Sequence, residues 1–143
     1  MKYQTLYSIK ASKEQLPNVA KDILNILPKS AIIFLNGNLA AGKTTLVSHI
    51  AKELKVGSAT SPTFSLQQNY ENILYHYDFY RVDFSQITNL GLIDEFEKEA
   101  LHFVEWGSDE LKRLLCNAGF EIYSIDIAPI NEKREYKVSK CIN

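Results

Sequence analysis

The chain has 143 residues, of which 45% are hydrophobic and 23% charged. That is the composition and length of one globular domain with its own core, and it excludes multi-domain motors, helicases and synthetases. Its 16 Lys and Arg stand against 17 Asp and Glu, a net charge of −1, so a protein that grips nucleic acid unaided is disfavoured, because such binding rests on phosphate neutralisation by a basic surplus. Cys116 and Cys141 have no Cys-x-x-Cys spacing, so two reduced thiols are expected rather than a disulfide or a zinc site. The N-terminal residues show no secretory pattern, and no run approaches the roughly 20 apolar residues of a membrane span. A soluble cytoplasmic protein, one domain over 1–143, is the expectation.

Tyr3 to Ile9 reads as a first strand, with Tyr3, Thr5 and Tyr7 on one face and Gln4, Leu6 and Ser8 on the other. Ser12 and Gln15 have capping-box spacing and open a helix. Leu16, Val19, Ala20, Ile23, Leu24 and Leu27 form its apolar face, and Pro28 ends it. Ala31 to Leu35 is a continuous branched apolar run, the pattern of a strand buried on both faces. A glycine-bounded loop leads into a helix over Lys43 to Leu54, followed by a small-residue loop from Gly57 to Pro62.

Phe64 to Tyr70 and Ile73 to Phe79 read as a hairpin turning at Glu71-Asn72. Ser85 to Glu99 is mostly helical with a break at Gly91, and Ala100 to Glu105 is another apolar strand. Ser108 caps a helix to Leu115, and Glu121 to Ala128 and Arg134 to Lys140 are final strands. This order predicts an α/β fold, a three-layer sandwich on a mixed, largely parallel sheet, and the glycine-bounded loop between strand and helix, Gly37 to Thr44, makes it P-loop NTPase-like.

Gly37-Asn38-Leu39-Ala40-Ala41-Gly42-Lys43-Thr44 matches G-x-x-x-x-G-K-[ST], the pattern of a phosphate-binding loop. Such a loop points successive backbone N–H groups at phosphate oxygens, and its glycines let the chain approach the anion closely. Lys43 would reach the terminal phosphates and the Thr44 hydroxyl would ligate Mg²⁺, with the positive end of the following helix aimed at the phosphates. The buried-type strand before the loop and the helix pattern after it make phosphate binding far better supported than a bare glycine turn.

The chain lacks both the [NT]-K-x-D and the D-x-x-G motifs of small GTPases. Its three arginines, Arg81, Arg113 and Arg134, are few for a nucleotide kinase, which must hold two phosphate chains. A kinase for a small uncharged substrate remains the alternative. A third reading is a nucleotide-gated binding module whose hydrolysis is incidental.

Four further segments follow in order: Ser61-Pro62-Thr63-Phe64, His76-Tyr77-Asp78-Phe79-Tyr80-Arg81, Gly91-Leu92-Ile93-Asp94-Glu95-Phe96 and Phe103-Val104-Glu105-Trp106. With the phosphate loop, this set resembles the bacterial TsaE (YjeE) family over about residues 31 to 106. The resemblance implies an ATPase that uses ATP and Mg²⁺ and acts with TsaB and TsaD in forming the threonylcarbamoyladenosine modification of tRNA. It would meet tRNA only through those partners, and hydrolysis would reset their complex. Asn38 and Ala40 stand where that family usually has Asp and Gly, and both positions are variable in the general loop pattern.

The site residues follow from the loop and the resemblance together. Gly37 through Thr44, with Thr45 beside them, would hold the nucleotide. Lys43, Asp78 and Glu105 are the candidate catalytic residues, and Thr44, Glu105 and Asp78 the candidate metal ligands. From spacing alone, Asp78 and Glu105 are as readily solvated strand-end acids; the resemblance is what raises them to metal or water-orienting groups. Thr63 is equally open to sensing the terminal phosphate or to turn chemistry set by Pro62. Trp106 is read as packing before it is read as a cover for nucleotide or partner. Arg81 is expected in an ion pair with Asp78 or Asp83 before phosphate neutralisation, and His76 and His102 as satisfied sheet residues. Tyr70, Tyr75, Tyr77, Phe79 and Tyr80 are read as sheet packing above base stacking. The resemblance points the base pocket to Ser12 and Arg134.

Overall fold

The computed structural model describes residues 1–38, 40–57 and 66–142. Ala31 to Leu35 are all buried, which makes β2 (Ala31–Asn36) the central strand, as its uninterrupted apolar run requires. It pairs in parallel with β5 (Leu101–Glu105) on one side and β6 (Ile122–Ile130) on the other. β4 (Leu74–Asp78) extends the parallel centre beyond β5. The margins are antiparallel: β3 (Gln67–Tyr70) on β4, and β7 (Lys133–Ile142) on β6 with β1 (Lys2–Ala11) outermost. The sheet therefore runs β1-β7-β6-β2-β5-β4-β3.

Two helical layers complete the expected sandwich. On one face α1 (Leu16–Ile26) and α2 (Lys43–Leu54) bury Val19, Ile23, Leu46 and Ile50 against Ile33, Phe103 and Ile125. On the other face α3 (Phe84–Asn89), α4 (Leu92–Glu95) and α5 (Asp109–Asn117) lie over Ile32, Phe34, Tyr75 and Tyr77. Among the described residues no helix is long and apolar enough to cross a membrane.

Local chemistry sets the element ends. The Ser12 N–H and hydroxyl both donate to Gln15 Oε1, at 2.7 and 3.1 Å. They close a short 3₁₀ turn, and the α-helix proper starts only at Leu16. Asp83 Oδ1 accepts from Gln86 N at 2.9 Å and caps α3; Ser108 Oγ accepts from Leu111 N at 3.1 Å and caps α5, as its position predicts. Glu71 and Asn72, with φ of 54° and 59°, make the predicted hairpin turn, while Gly91, with φ of 74°, separates α3 from α4. β3 begins at Gln67, and Ser58 through Ser65, with Phe64 and Thr63 among them, lie outside the described residues.

The first strand corrects one expectation. Thr5 pairs with Ser139 but Tyr7 pairs with Val138, so a bulge interrupts the simple alternation of faces. The extra residue turns Tyr7, Ile9 and Ala11 towards the α1 side, where Tyr7 Oη donates to Asp22 Oδ2 at 2.9 Å.

Candidate functional site

Parallel strands deliver their carboxyl ends to one edge of a sheet, and here that edge gathers the candidate site residues. β2 runs out at Asn36 into the glycine loop, while Asp78 and Glu105 are register partners at the ends of β4 and β5. A Cβ at Gly37 would stand 2.8 Å from the Ile127 carbonyl oxygen and 2.9 Å from Ala41 Cβ, so no side chain fits there. Gly42 has φ of 103°, and a Cβ on it would run into the Arg134 guanidinium. Ala40 takes φ of 64° without a glycine's freedom. Leu39 lies outside the described residues.

Lys43 is buried in the loop it terminates. Its Nζ donates to the Gly37 carbonyl at 2.5 Å and to the Asn38 carbonyl at 3.4 Å, and lies 3.8 Å from the centre of the Trp106 ring. Burial pulls its ammonium below the usual lysine pKa, against the opposing charges of Glu105 and Asp78. Trp106 holds φ of 61°, a conformation a bulky residue rarely adopts, and packs edge-on to Tyr80 at 4.8 Å between ring centres.

The first turn of α2 sends its two threonines to different places. Thr44 Oγ1 donates to Glu105 Oε2 at 2.8 Å, and His76 Nε2 lies 2.5 Å from the same oxygen. Glu105 is only 4% exposed. Burial alone would raise its carboxyl pKa, but the bonds with His76 and Thr44 and the Lys43 charge hold it below the usual value. Asp78 is exposed and accepts from Tyr80 N at 3.1 Å. Lys43, Thr44, Asp78, Arg81, Glu105 and Trp106 line one open cleft of about 520 Å³.

Thr45 lines a second pocket of about 270 Å³ with Ala11, Lys13, Leu16, Arg134 and Tyr136. Arg134 pairs with Ala11 across β7 and β1, and its Nη2 donates to the Ala40 carbonyl at 3.4 Å. Arg134 thus lies across Gly42, between the two pockets. Ser12 is next to this pocket, with its hydroxyl engaged by Gln15.

The structure brings Lys43, Thr44, Asp78 and Glu105 together and sets Thr45 and Arg134 on the far side of the loop. Among the described residues no ion pair joins Arg81 to Asp78 or Asp83, contrary to expectation. Asp83 is spent on capping α3 and Asp78 on Tyr80 N, so Arg81 faces the cleft instead. His102 is the satisfied sheet residue expected, bonded to Tyr77 Oη at 2.7 Å and the Lys98 carbonyl at 2.8 Å. His76 is bonded too, but to Glu105, which makes it part of the site. Its signal was the spacing of two from Asp78, which puts both on one face. Tyr75, Tyr77 and Phe79 are core residues, and only Tyr80 of that run lines the cleft.

Among the described residues no three His, Cys, Asp or Glu side chains form a metal cage. The oxygen donors of Thr44, Glu105 and Asp78 suit Mg²⁺, which relies on few protein ligands and takes the rest from water and phosphate.

The family model of the threonylcarbamoyl adenosine biosynthesis protein TsaE matches residues 10–136, well beyond the stretch that the short motifs span. The TsaE protein of Aquifex aeolicus (strain VF5) is 38% identical over 122 residues, covering 80% of this chain and 84% of its own. That of Rickettsia prowazekii (strain Madrid E) is 38% identical over 117 residues, covering 78% and 80%. The crystal structure of YdiB from Bacillus subtilis superposes with a TM-score of 0.68 over 98% of this chain and 88% of that one, at 24% identity, and so shares the fold. Motif order, fold and these matches agree: the chain belongs to the TsaE family.

Proposed function

We propose that this chain is a cytoplasmic Mg²⁺-dependent ATPase that acts with TsaB and TsaD in forming the threonylcarbamoyladenosine modification of tRNA. The observation that carries the reading is the 2.8 Å bond from Thr44 to Glu105 at the mouth of a cleft that Lys43 and Asp78 also line. The relatives named for this tRNA modification supply the process.

The loop amides and Lys43 hold the phosphates, and Lys43 exchanges its bonds to the Gly37 and Asn38 carbonyls for phosphate oxygens. Thr44 and Glu105, with Asp78 near, would hold Mg²⁺, which when bound offsets the charge of the phosphate oxygens. Asp78 uses Oδ1 on Tyr80 N and orients the attacking water with its carboxylate. The base and ribose lie towards Thr45 and Arg134. Positioning and electrostatics account for most of the acceleration in such phosphoryl transfer.

Arg81 lines the cleft and pairs with no acid among the described residues, so charge stabilisation is incomplete until a partner binds. Hydrolysis is therefore slow alone and faster with TsaB and TsaD. Near-neutral charge fits a chain whose partners hold the tRNA. The test is phosphate release from Mg²⁺-ATP with and without TsaB and TsaD. Equal turnover in both would contradict the partner-dependent reading, and phosphate found on an added small molecule would favour a kinase.

A further inference from the structure

Far from the loop in sequence, the two cysteines meet. Cys116 lies in the last turn of α5 and Cys141 near the end of β7, 25 positions apart, with their Sγ atoms 3.5 Å from each other. Both are half-buried thiols packed against the core under α5, and Tyr3 of β1 is the register partner of Cys141. Bonding would bring the two sulfurs about 1.5 Å closer.

We propose that Cys116 and Cys141 are a reversible oxidation site, which a hydroperoxide converts to an intramolecular disulfide clamping α5 to the β1–β7 edge. One thiolate sulfur attacks the peroxide O–O bond, forming a sulfenic acid and releasing an alcohol, or water from hydrogen peroxide. The second thiolate attacks that sulfur and expels hydroxide, which leaves as water. The two thiols lose two electrons and two protons, and the peroxide gains them.

Burial and the neighbouring Cys116 push the Cys141 thiol up. A helix C-terminus does not favour a thiolate, so the reaction is slow beside that of a dedicated peroxide sensor. The resolving thiol at 3.5 Å captures the sulfenic acid before further oxidation makes the damage irreversible. Reducing conditions reopen the bond. α5 carries Lys112, whose Nζ reaches Asn36 Oδ1 at 3.5 Å, but none of the cleft residues. The disulfide is thus a clamp on the fold, read out in stability.

The test treats the full chain with hydrogen peroxide and maps it under non-reducing conditions. The cysteine peptides should appear cross-linked and about 2 Da lighter, with the thiol count falling from two to zero in a monomer. Dithiothreitol should restore both thiols. Tm should rise by several degrees on oxidation, because the closed loop restricts the unfolded chain. In Cys141→Ser, Cys116 should instead carry oxygen adducts or form covalent dimers. A Cys116→Ala/Cys141→Ala double variant should show no peroxide-dependent rise in Tm. The proposal is overturned if wild-type chain gives oxygen adducts or dimers in place of the cross-linked peptide. It is equally overturned if both thiols survive peroxide that oxidises Cys141→Ser, or if the double variant gains the same Tm.

Discussion

The two pockets on either side of Gly42 come from opposite kinds of sheet. The larger is built on the parallel centre, where register alone sets Asp78 beside Glu105 at the strand ends. Its two acids and its lysine are bonded to fixed neighbours: Glu105 to Thr44 and His76, Asp78 to a backbone N–H, Lys43 to two carbonyls. The smaller is built on the antiparallel margin, where the ends of β1 and β7 bring Ala11 and Arg134 together. Arg134 reaches the Ala40 carbonyl through a long 3.4 Å bond, and Lys13, Lys133 and Glu132 line the pocket beside it. The first pocket is preorganised and balances Asp78 and Glu105 against Lys43 and Arg81; the second sets Lys13, Lys133 and Arg134 against Glu132. Under the proposed function the difference would divide the labour: chemistry at the first pocket, and the remainder of the nucleotide at the second.

Substitutions at the two sides should therefore fail differently. The largest effect is expected of Lys43→Ala, which removes the buried cation of the larger pocket and its bonds to the loop carbonyls. ATP affinity by calorimetry should fall about 100-fold or more, two charge-assisted contacts being lost. Unchanged affinity would remove the phosphate-loop assignment itself. Glu105→Gln should keep ATP affinity within a few fold while phosphate release drops by about 10²-fold. A normal rate would take the metal role from Glu105 and leave the parallel side without its distinction.

Arg134→Ala should show the reverse pattern, with affinity about 10-fold weaker, the size of one charge-assisted contact, and turnover at saturation little changed. If turnover falls instead, Arg134 acts in the chemistry and the division of labour is wrong.

The smallest effect lies in the core beside the rigid side. Burial keeps His102 below its usual pKa of 6.5, so the unfolded chain takes up a proton there before the folded chain does. Stability should therefore decline as pH falls below about 6.5. His102→Gln should lower Tm at pH 7.5, since bonds to Tyr77 and Lys98 are lost, yet flatten the slope between pH 6.5 and 5.5 in thermal melts. An unchanged slope would mean that His102 does not titrate on unfolding.

Local patterns carried most of the fold. The apolar run at Ala31, the stripe from Leu16 to Leu27, the Ser108 cap and the Gly91 break are all signals within a few residues of their effect. The loop motif was legible for the same reason, since eight consecutive residues specify its backbone. What the residue patterns leave to the family resemblance, or to the structure, depends on residues far apart in the chain. Thr44 and Glu105 are 61 positions apart, and Arg134 and Ala40 are 94 apart. The meeting of Cys116 with Cys141 needs the last strand to be in place before the pair exists. Arg81 was misread because Asp83 follows it closely, yet that carboxylate had a better local use as a helix cap. The β1 bulge has no signature in the alternation of Tyr3 to Ser8 and is visible only in its pairing with β7.

The central claim is that one nucleotide spans both pockets. Backbone amide NMR shifts during titration with Mg²⁺ and a non-hydrolysable ATP analogue test it most directly. The account predicts that Thr44, Asp78 and Glu105 on one side, and Thr45, Arg134 and Ala11 on the other, shift together along a single binding curve. Shifts confined to one side, or two curves with different midpoints, would contradict it.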